Sequence, residues 1–428
     1  MADIVGGPGP SLLIGTLDPD TIIGDPFTAG SGIPPDMGIL DSGRAANDAI
    51  FARAGDDTVY GDAFQMAGTG KGGNDVISGG PGFNTLHGDA DTMIGDSVGG
   101  NDLILGGEDA DTMYGDARVL ADQARGGDDW LKGGGGSGTL YGDGFAITDD
   151  ARGGNDIVAA GDGSESVFGD ARLMSVNARG GNDLVLSGPG FDTLYGDAFT
   201  MSDDAVGGHD VLRGGGDSNG LIGDARNMFD RAQGGNDRLS GGGGSDGLQG
   251  DAVFMRDESR GGDDTLSGDR GDDSLAGDAS EMSGMAVGGD DRLFGKSGND
   301  ILYGDAFEMS DQAIAGNDLI VGGRGNDELW GDAADIDPGV TTGSDIFFFA
   351  RGSDLDTIFD FEKGQDLINV SGYRQIAGFA DLLITDINGD GSSEIDLGAS
   401  NGGAADEDVV TVVGLAPGQF DAGDFIFA

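Results

Sequence analysis

Apolar positions along the chain recur as short runs within stretches of 27 residues. One stretch, from Gly180 to Val206, divides into three pieces of nine. The first carries Gly180-Gly-Asn-Asp183 and then Leu184, Val185 and Leu186. The second carries Gly190-Phe-Asp192 and then Thr193, Leu194 and Tyr195. Each reads as a glycine-rich turn followed by a short β-forming run. The middle residue of the first run is apolar in every unit: Ile50, Ile77, Ile104, Leu131, Val158, Val185, Leu212, Leu239, Leu266, Leu293 and Ile320. The matching site of the second run is apolar too, from Val59 and Leu86 through Leu302 and Leu329. One inward residue per short strand, like over like, is what period-2 geometry gives in a stack. The third piece runs Ala198, Met201, Ala205, a step of three and then four, which predicts a helical turn rather than a strand. Its Met column, including Met66, Met93, Met174 and Met201, reads as adaptable core filler rather than as soft-metal ligands.

The period is strict. Gly-Asp pairs begin at Gly61, Gly88, Gly115, Gly142, Gly169, Gly196, Gly223, Gly250, Gly277, Gly304 and Gly331, always 27 residues apart. A globular domain does not hold such a step, so the chain is a stack of repeats. The ends depart from it. Residues 1–44 read as a degenerate N-terminal capping coil, with Ser11 in place of an Asp and ten extra residues around Pro34-Pro35. Residues 45–340 are the repeats. Residues 341–428 lose glycine, gain longer apolar runs such as Phe347-Phe348-Phe349, and predict a separate β-rich C-terminal capping domain.

Composition sharpens this picture. Of 428 residues, 89 are Gly and only 10 Pro, with no Gly-X-Y period, which excludes collagen. The 78 acids against 22 Lys and Arg leave a formal charge of −56, which repels nucleic acid and anionic membrane surfaces and favours small hard cations. No apolar run is long enough to span a bilayer. The start, Met1-Ala-Asp-Ile-Val-Gly-Gly-Pro8, has no basic or apolar segment of a cleaved signal. Cys is absent, which removes disulfides and thiol catalysis.

The acids fall in columns. The first comprises Asp48, Asp75, Asp102, Asp129, Asp156, Asp183, Asp210, Asp237, Asp264, Asp291, Asp318 and Asp345. The second holds Asp57, Asp111, Asp192, Asp246, Asp273, Asp300, Asp327 and Asp354, interrupted by Asn84, Gly138, Glu165 and Asn219, where binding should be weak or absent. A glycine turn gathers backbone carbonyls, the Asp at its end adds a carboxylate, and flexible oxygen-only coordination is calcium chemistry. Without a cation, a column of like charges about 4.8 Å apart would repel strongly. Two such edges predict roughly 20 Ca²⁺ ions. The third column, Asp62 through Asp332 in the Gly-Asp pairs, has three readings: caps of the helical turn, metal ligands, or a solvated face.

Gly188-Pro-Gly190-Phe-Asp192-Thr-Leu194 resembles the Gly-Gly-x-Gly-x-Asp-x-apolar-x nonapeptide of the RTX, or hemolysin-type calcium-binding, family. The resemblance covers roughly residues 45–354. It implies a parallel β-roll that folds when calcium binds, with ligation by turn carbonyls and by the Asp ending each turn. The family's usual step is nine. Here every third nonapeptide lacks the ligand Asp, so an all-β parallel solenoid with 27-residue coils, two calcium edges and one metal-poor edge is expected instead of an 18-residue roll. In the C-terminal part, Asp356-Thr-Ile-Phe-Asp-Phe361, Gly364-Gln-Asp-Leu-Ile-Asn-Val-Ser371 and the final Asp424-Phe-Ile-Phe-Ala428 resemble the terminal domain of type I secretion targets. That resemblance implies export through an uncleaved C-terminal signal by the type I secretion machinery. Asp386-Ile-Asn-Gly-Asp390-Gly391 begins like an EF-hand loop, but Leu397 stands where its bidentate Glu belongs, which favours a hairpin between Leu382–Thr385 and Glu394–Leu397.

No enzyme is expected. The two histidines, His87 and His209, fall at variable positions on expected surfaces, and no His-Glu-x-x-His motif exists. The scaffold is nearly the whole chain, so the reading is a secreted structural component of a cell surface or extracellular matrix. The partners are calcium, further copies of the chain or extracellular polysaccharide. A soluble calcium-binding effector and a polysaccharide-binding adhesive module are the alternatives.

Overall fold

A computed structural model describes residues 3–7, 9–25, 38–386, 389–400 and 407–428; the Pro34-Pro35 insertion lies outside them. The chain forms two compact units, Met1–Gly215 with Gly223–Gly235 and Gly216–Ile222 with Asn236–Ala428.

Each unit is a parallel β-solenoid with 27-residue coils. In the first, Leu103–Leu105 lies between Val76–Ser78 and Trp130–Lys132, with Ile104 in register with Ile77 and Leu131. One turn later Thr112–Tyr114 lies between Thr85–His87 and Thr139–Tyr141, with Met113 between Leu86 and Leu140. The second unit repeats both columns: Leu266 sits between Leu239 and Leu293, and Leu275 between Leu248 and Leu302. All twelve of these central residues are fully or almost fully buried. The predicted inward column of each short run is therefore the core.

The third piece is a strand, not the helical turn its spacing predicts. Ala117–Leu120, Gly144–Ile147, Ala171–Met174 and Ala198–Met201 form it in the first unit, and Ala252–Met255, Ala279–Met282, Ala306–Met309 and Ala333–Ile336 in the second. The misleading step of three comes from a kink at the start of the strand. The backbone N–H groups of Asp116 and Ala117 both donate to the Asp143 carbonyl, each at 3.1 Å. Register with the next coil is kept, so the strand gains no residue, but its inward phase breaks: Arg118 and Val119 both turn away from the core between the two buried ends. Ala117 and Leu120 thus both reach the core three residues apart. The following step of four is a tight turn in which the Ala205 N–H donates to the Ser202 carbonyl at 3.2 Å.

His87 is buried, not on the surface. Along the second column of the first unit, Tyr60, His87, Tyr114, Tyr141, Phe168 and Tyr195 stack ring on ring, with centroids 4.7–5.2 Å apart. Exact coil register makes any flat side chain at this position stack on its neighbours. Burial pushes the His87 imidazole down to about 3, so it is neutral at physiological pH. His209 is exposed.

Beyond Asp345 the columns continue with irregular spacing, 21 residues on the first and 29 on the second. Ile346–Phe348 pairs in parallel with the preceding coil and with Leu367–Asn369, and Leu367–Asn369 pairs with Phe425–Ile426. Leu355–Ile358 pairs with Val409–Val412, which in turn pairs antiparallel with Ser393–Asp396. That antiparallel strand covers an edge that would otherwise stay open to further pairing. The expected hairpin is present: Leu383–Thr385 runs antiparallel to Ser393–Asp396, with residues 387–388 of its loop outside the described residues. Phe347, Phe349, Tyr373 and Ile376 fill the space beneath.

Candidate calcium edges

The first column forms a carboxylate ladder. The Asp75 N–H donates to Asp102 Oδ1 at 2.6 Å, Asp102 to Asp129 at 2.7 Å, and Asp129 to Asp156 at 2.7 Å. In the second unit the same bonds join Asp264 to Asp291, Asp291 to Asp318, and Asp318 to Asp345. Each ladder bond uses one oxygen. The other, Oδ2, of Asp75, Asp102, Asp129, Asp156, Asp183, Asp291, Asp318 and Asp345 is buried with no hydrogen-bond partner. A buried carboxylate oxygen without a donor is costly unless a proton or cation sits on it. The corner beside it is glycine for want of space: a Cβ on Gly88 would collide with the Gly115 carbonyl oxygen and with Asp102 Oδ2.

The third column belongs to this same edge. Asp89, Asp116, Asp143, Asp170 and Asp278 are fully buried. Each accepts the turn N–H eleven residues on: Gly100 at 2.9 Å, Gly127 at 2.9 Å, Gly154 at 2.8 Å, Gly181 at 2.9 Å and Gly289 at 2.8 Å. The carboxyl of Asp89 also lies within hydrogen-bonding reach of those of Asp62 and Asp116, and that of Asp170 of those of Asp143 and Asp197. There is no helical turn here to cap, and these Asp side chains do not form a solvated face. They start the kinked strand and point inward, across from the first column. Burial first, and then the charge of Asp89, push Asp102 well above the carboxylate range. Burial raises Asp75 to about 8 and Asp345 to about 9.

The second column makes a separate edge. Asp246 donates to Asp273 Oδ1 at 2.8 Å, Asp273 to Asp300 at 2.9 Å, and Asp300 to Asp327 at 2.9 Å. The Oδ2 atoms of Asp57, Asp111, Asp246, Asp273, Asp300 and Asp327 are buried without partners. Burial raises Asp246 and Asp273 to about 6 and Asp300 to about 7. The interruptions fill the position in their own ways. The Asn84 amide donates to the carbonyls of Gly80 and Gly82, at 3.2 and 3.1 Å, so an N–H stands where a cation would meet those oxygens. Asp192 Oδ2 accepts the Gly188 N–H at 3.0 Å. Glu165 is buried with neither carboxylate oxygen hydrogen-bonded.

Asp354 lies off the column. It is exposed and accepts the Gly325 N–H at 3.1 Å, while Asp356 receives the ladder bond from Asp327 at 3.0 Å. The chain is two residues longer here than the period allows. Sequence reasoning also missed Asp20 and Asp366. The Asp20 N–H donates to Asp57 Oδ1 at 2.7 Å, and Asp366 receives the Asp345 N–H at 3.0 Å. Both stand outside the 27-residue step, at intervals of 37 and 21 residues, so a fixed period could not find them. Ser11, as its position predicts, occupies the first column: its N–H donates to Asp48 Oδ1 at 2.6 Å.

Among the described residues, no three His, Asp or Glu side chains converge on one point. An ion here would take one or two carboxylates and complete its shell with turn carbonyls. All donors are oxygen, which fits calcium.

The family model for the RTX calcium-binding nonapeptide repeat matches residues 42–65, 69–97, 98–117, 123–146, 177–198, 231–252, 259–280, 285–306 and 313–335. Comparison with curated protein sequences finds no match. RTX repeats bind calcium, and the matched segments contain most of the turns whose buried carboxylate oxygens lack a donor, with Asp156 and Asp345 among those lying outside them. The chain belongs to the RTX calcium-binding repeat family.

Proposed function

We propose that this is a secreted protein whose solenoid folds on binding calcium outside the cell and then serves as a structural component of a cell surface or extracellular matrix. The observation that carries the reading is the row of buried, donor-less Asp Oδ2 atoms on the two edges. Neutralising them demands cations, and on the order of twenty ions would do so, one per coil interval on each edge. At the low calcium of a cell interior the unpaired acids oppose stacking, which suits export as an unfolded chain. At extracellular calcium, sites with affinities of about 10⁻⁴ to 10⁻³ M fill and the coils dock. The ligands proposed are the first-column Asp residues, joined by the third column, and the Asp members of the second column with Asp356 in place of Asp354. Residues 341–428 would act as the capping and secretion-targeting segment. The reading is non-enzymatic.

Calcium titration of the EDTA-stripped protein, followed by circular dichroism and sedimentation velocity together, tests it. A cooperative transition to β-structure that proceeds to large particles supports the structural role. The same transition ending at a monomer shifts the reading to a soluble effector. Full β-structure in EDTA at neutral pH would sink the calcium-gated fold.

A further inference from the structure

The first unit carries a groove of about 760 Å³ on the turn that follows the third strand. Each coil lends it two outward side chains flanking one inward residue. Asp150 and Arg152 flank Ala151, and Asn177 and Arg179 flank Ala178, with both alanines fully buried. One wall is the column Asp96, Gln123, Asp150, Asn177 and Asp204. The other includes Arg125, Arg152 and Arg179, which are exposed and in direct parallel register.

These three arginines are the unusual feature. Register stacks their backbones one over another at the strand spacing of about 4.8 Å, an arrangement of like charges that destabilises a sheet. In a chain with 78 acids, compensation would be easy to arrange. Yet none of the three makes an ion pair or a side-chain hydrogen bond. Of the acids on the facing wall, Asp150 and Asp204 are engaged elsewhere. Asp150 Oδ1 accepts the Asn177 amide at 3.1 Å, and Asp204 is held by a two-pronged Arg231 pair at 2.7 Å per bond. Asp143 and Asp170, behind the groove, are buried on the calcium edge.

We infer that this groove binds a linear polyuronate, an acidic polysaccharide with one carboxylate per sugar. Arginine recognises a carboxylate through two parallel N–H bonds, and three in a column present that recognition at each coil. The opposite wall of amides and carboxylates both accepts from and donates to hydroxyl groups, which every sugar ring supplies. A neutral glycan leaves the arginines uncompensated. A polyphosphate or sulfated chain gains nothing from the Asp and amide wall and meets three carboxylates there. The inference rests on the calcium-loaded fold, because the edge carboxylates must be neutralised for a polyanion to approach.

The test uses the full chain in calcium, with its fold confirmed by circular dichroism, and galacturonate hexamer as probe, too short to gel. Binding is read by calorimetry for the protein itself, for the triple variant Arg125→Gln, Arg152→Gln, Arg179→Gln, and for a control variant Lys132→Gln, Arg213→Gln on the first-strand face. The expected result is saturable binding by the parent and the control, weakened at least tenfold in the triple variant. A sulfated hexamer should bind more weakly than the galacturonate. Three results would overturn the inference: no binding by a folded protein, equal binding by the triple variant, or a sulfated hexamer binding as well as the uronate. Failure to gain β-structure with calcium would strike the calcium reading instead, and circular dichroism separates the two.

Discussion

A single side chain decides whether a second-edge turn can hold a cation. Where Asp stands, as at Asp273, an oxygen is left buried without a donor. Where Asn84 stands, its own N–H satisfies the turn carbonyls. Asn84→Asp should therefore add one calcium ion to the stoichiometry counted by native mass spectrometry, and Asp273→Asn should remove one. Asp273→Asn should also stabilise the calcium-free fold, because it replaces a charge that burial penalises. Unchanged ion counts in both variants would mean that this edge is not a calcium edge. A second residue-scale prediction concerns Val176. It has φ 67°, in a column where Asp122, Asp149, Asp203 and Asp230 hold φ between 56° and 63°. A β-branched residue pays for that conformation, whereas Asn adopts it readily. In this column the Val176 N–H is met by Asp203 at 3.2 Å, but Val176 has no oxygen to offer the coil before it. Val176→Asn should raise stability in calcium by about 1 kcal/mol, seen as a higher melting temperature. A lower one would count against the strain argument.

At the scale of elements, the turn-and-strand unit was plain in the sequence because its signal is local. One apolar residue per run, a Gly-rich turn and an Asp at its end give the strand, the turn and the ladder at once. The third strand was hidden for a specific reason. At Asp116-Ala117 two successive N–H groups share one carbonyl, and a strand kinked in this way shows the three-residue step that a helix also shows. That the Gly-Asp column faces the first column was hidden too, since a residue's partner across a coil interior leaves no trace in linear spacing. Asp356 and Asp366 were hidden by changes in coil length, and His87 by being aromatic enough to join a ring stack. The glycine preceding each third-column Asp yields a further prediction. Gly142 faces the Gly169 carbonyl and Asp156, with no room for a Cβ, whereas nothing lies within 4 Å of a Cβ on Gly216. Gly142→Ala should cost several kcal/mol and shift the calcium midpoint of folding upward, while Gly216→Ala should be neutral. Equal behaviour would mean that the coils are free to move apart at that corner.

For the whole molecule, the proposed calcium edges would set proton and calcium in competition for the same oxygens, and the sign of the pH effect follows. An ordinary Asp titrates near 3.8, but burial lifts Asp246, Asp273 and Asp278 to about 6, Asp75 to about 8, and Asp345 and Asp356 to about 9. Groups raised in the folded state bind protons more tightly there than in the unfolded chain. Their stabilising contribution is full below the unfolded value and is lost as pH rises through the folded values. Without calcium, the fold should therefore be most stable at about pH 4 and lose stability steadily up to about pH 9. This is opposite to a protein held by salt bridges, which loses stability in acid. With calcium the order reverses: the ion displaces the protons, so affinity should fall as pH drops below about 6, and binding near neutrality should release protons. Melting in EDTA across this range, set beside calorimetry in buffers of different ionisation enthalpy, measures both halves. If the calcium-free melting point is flat with pH and the binding heat is independent of buffer, the buried carboxylates are satisfied by something other than a proton or a cation, and the calcium edges fail with them.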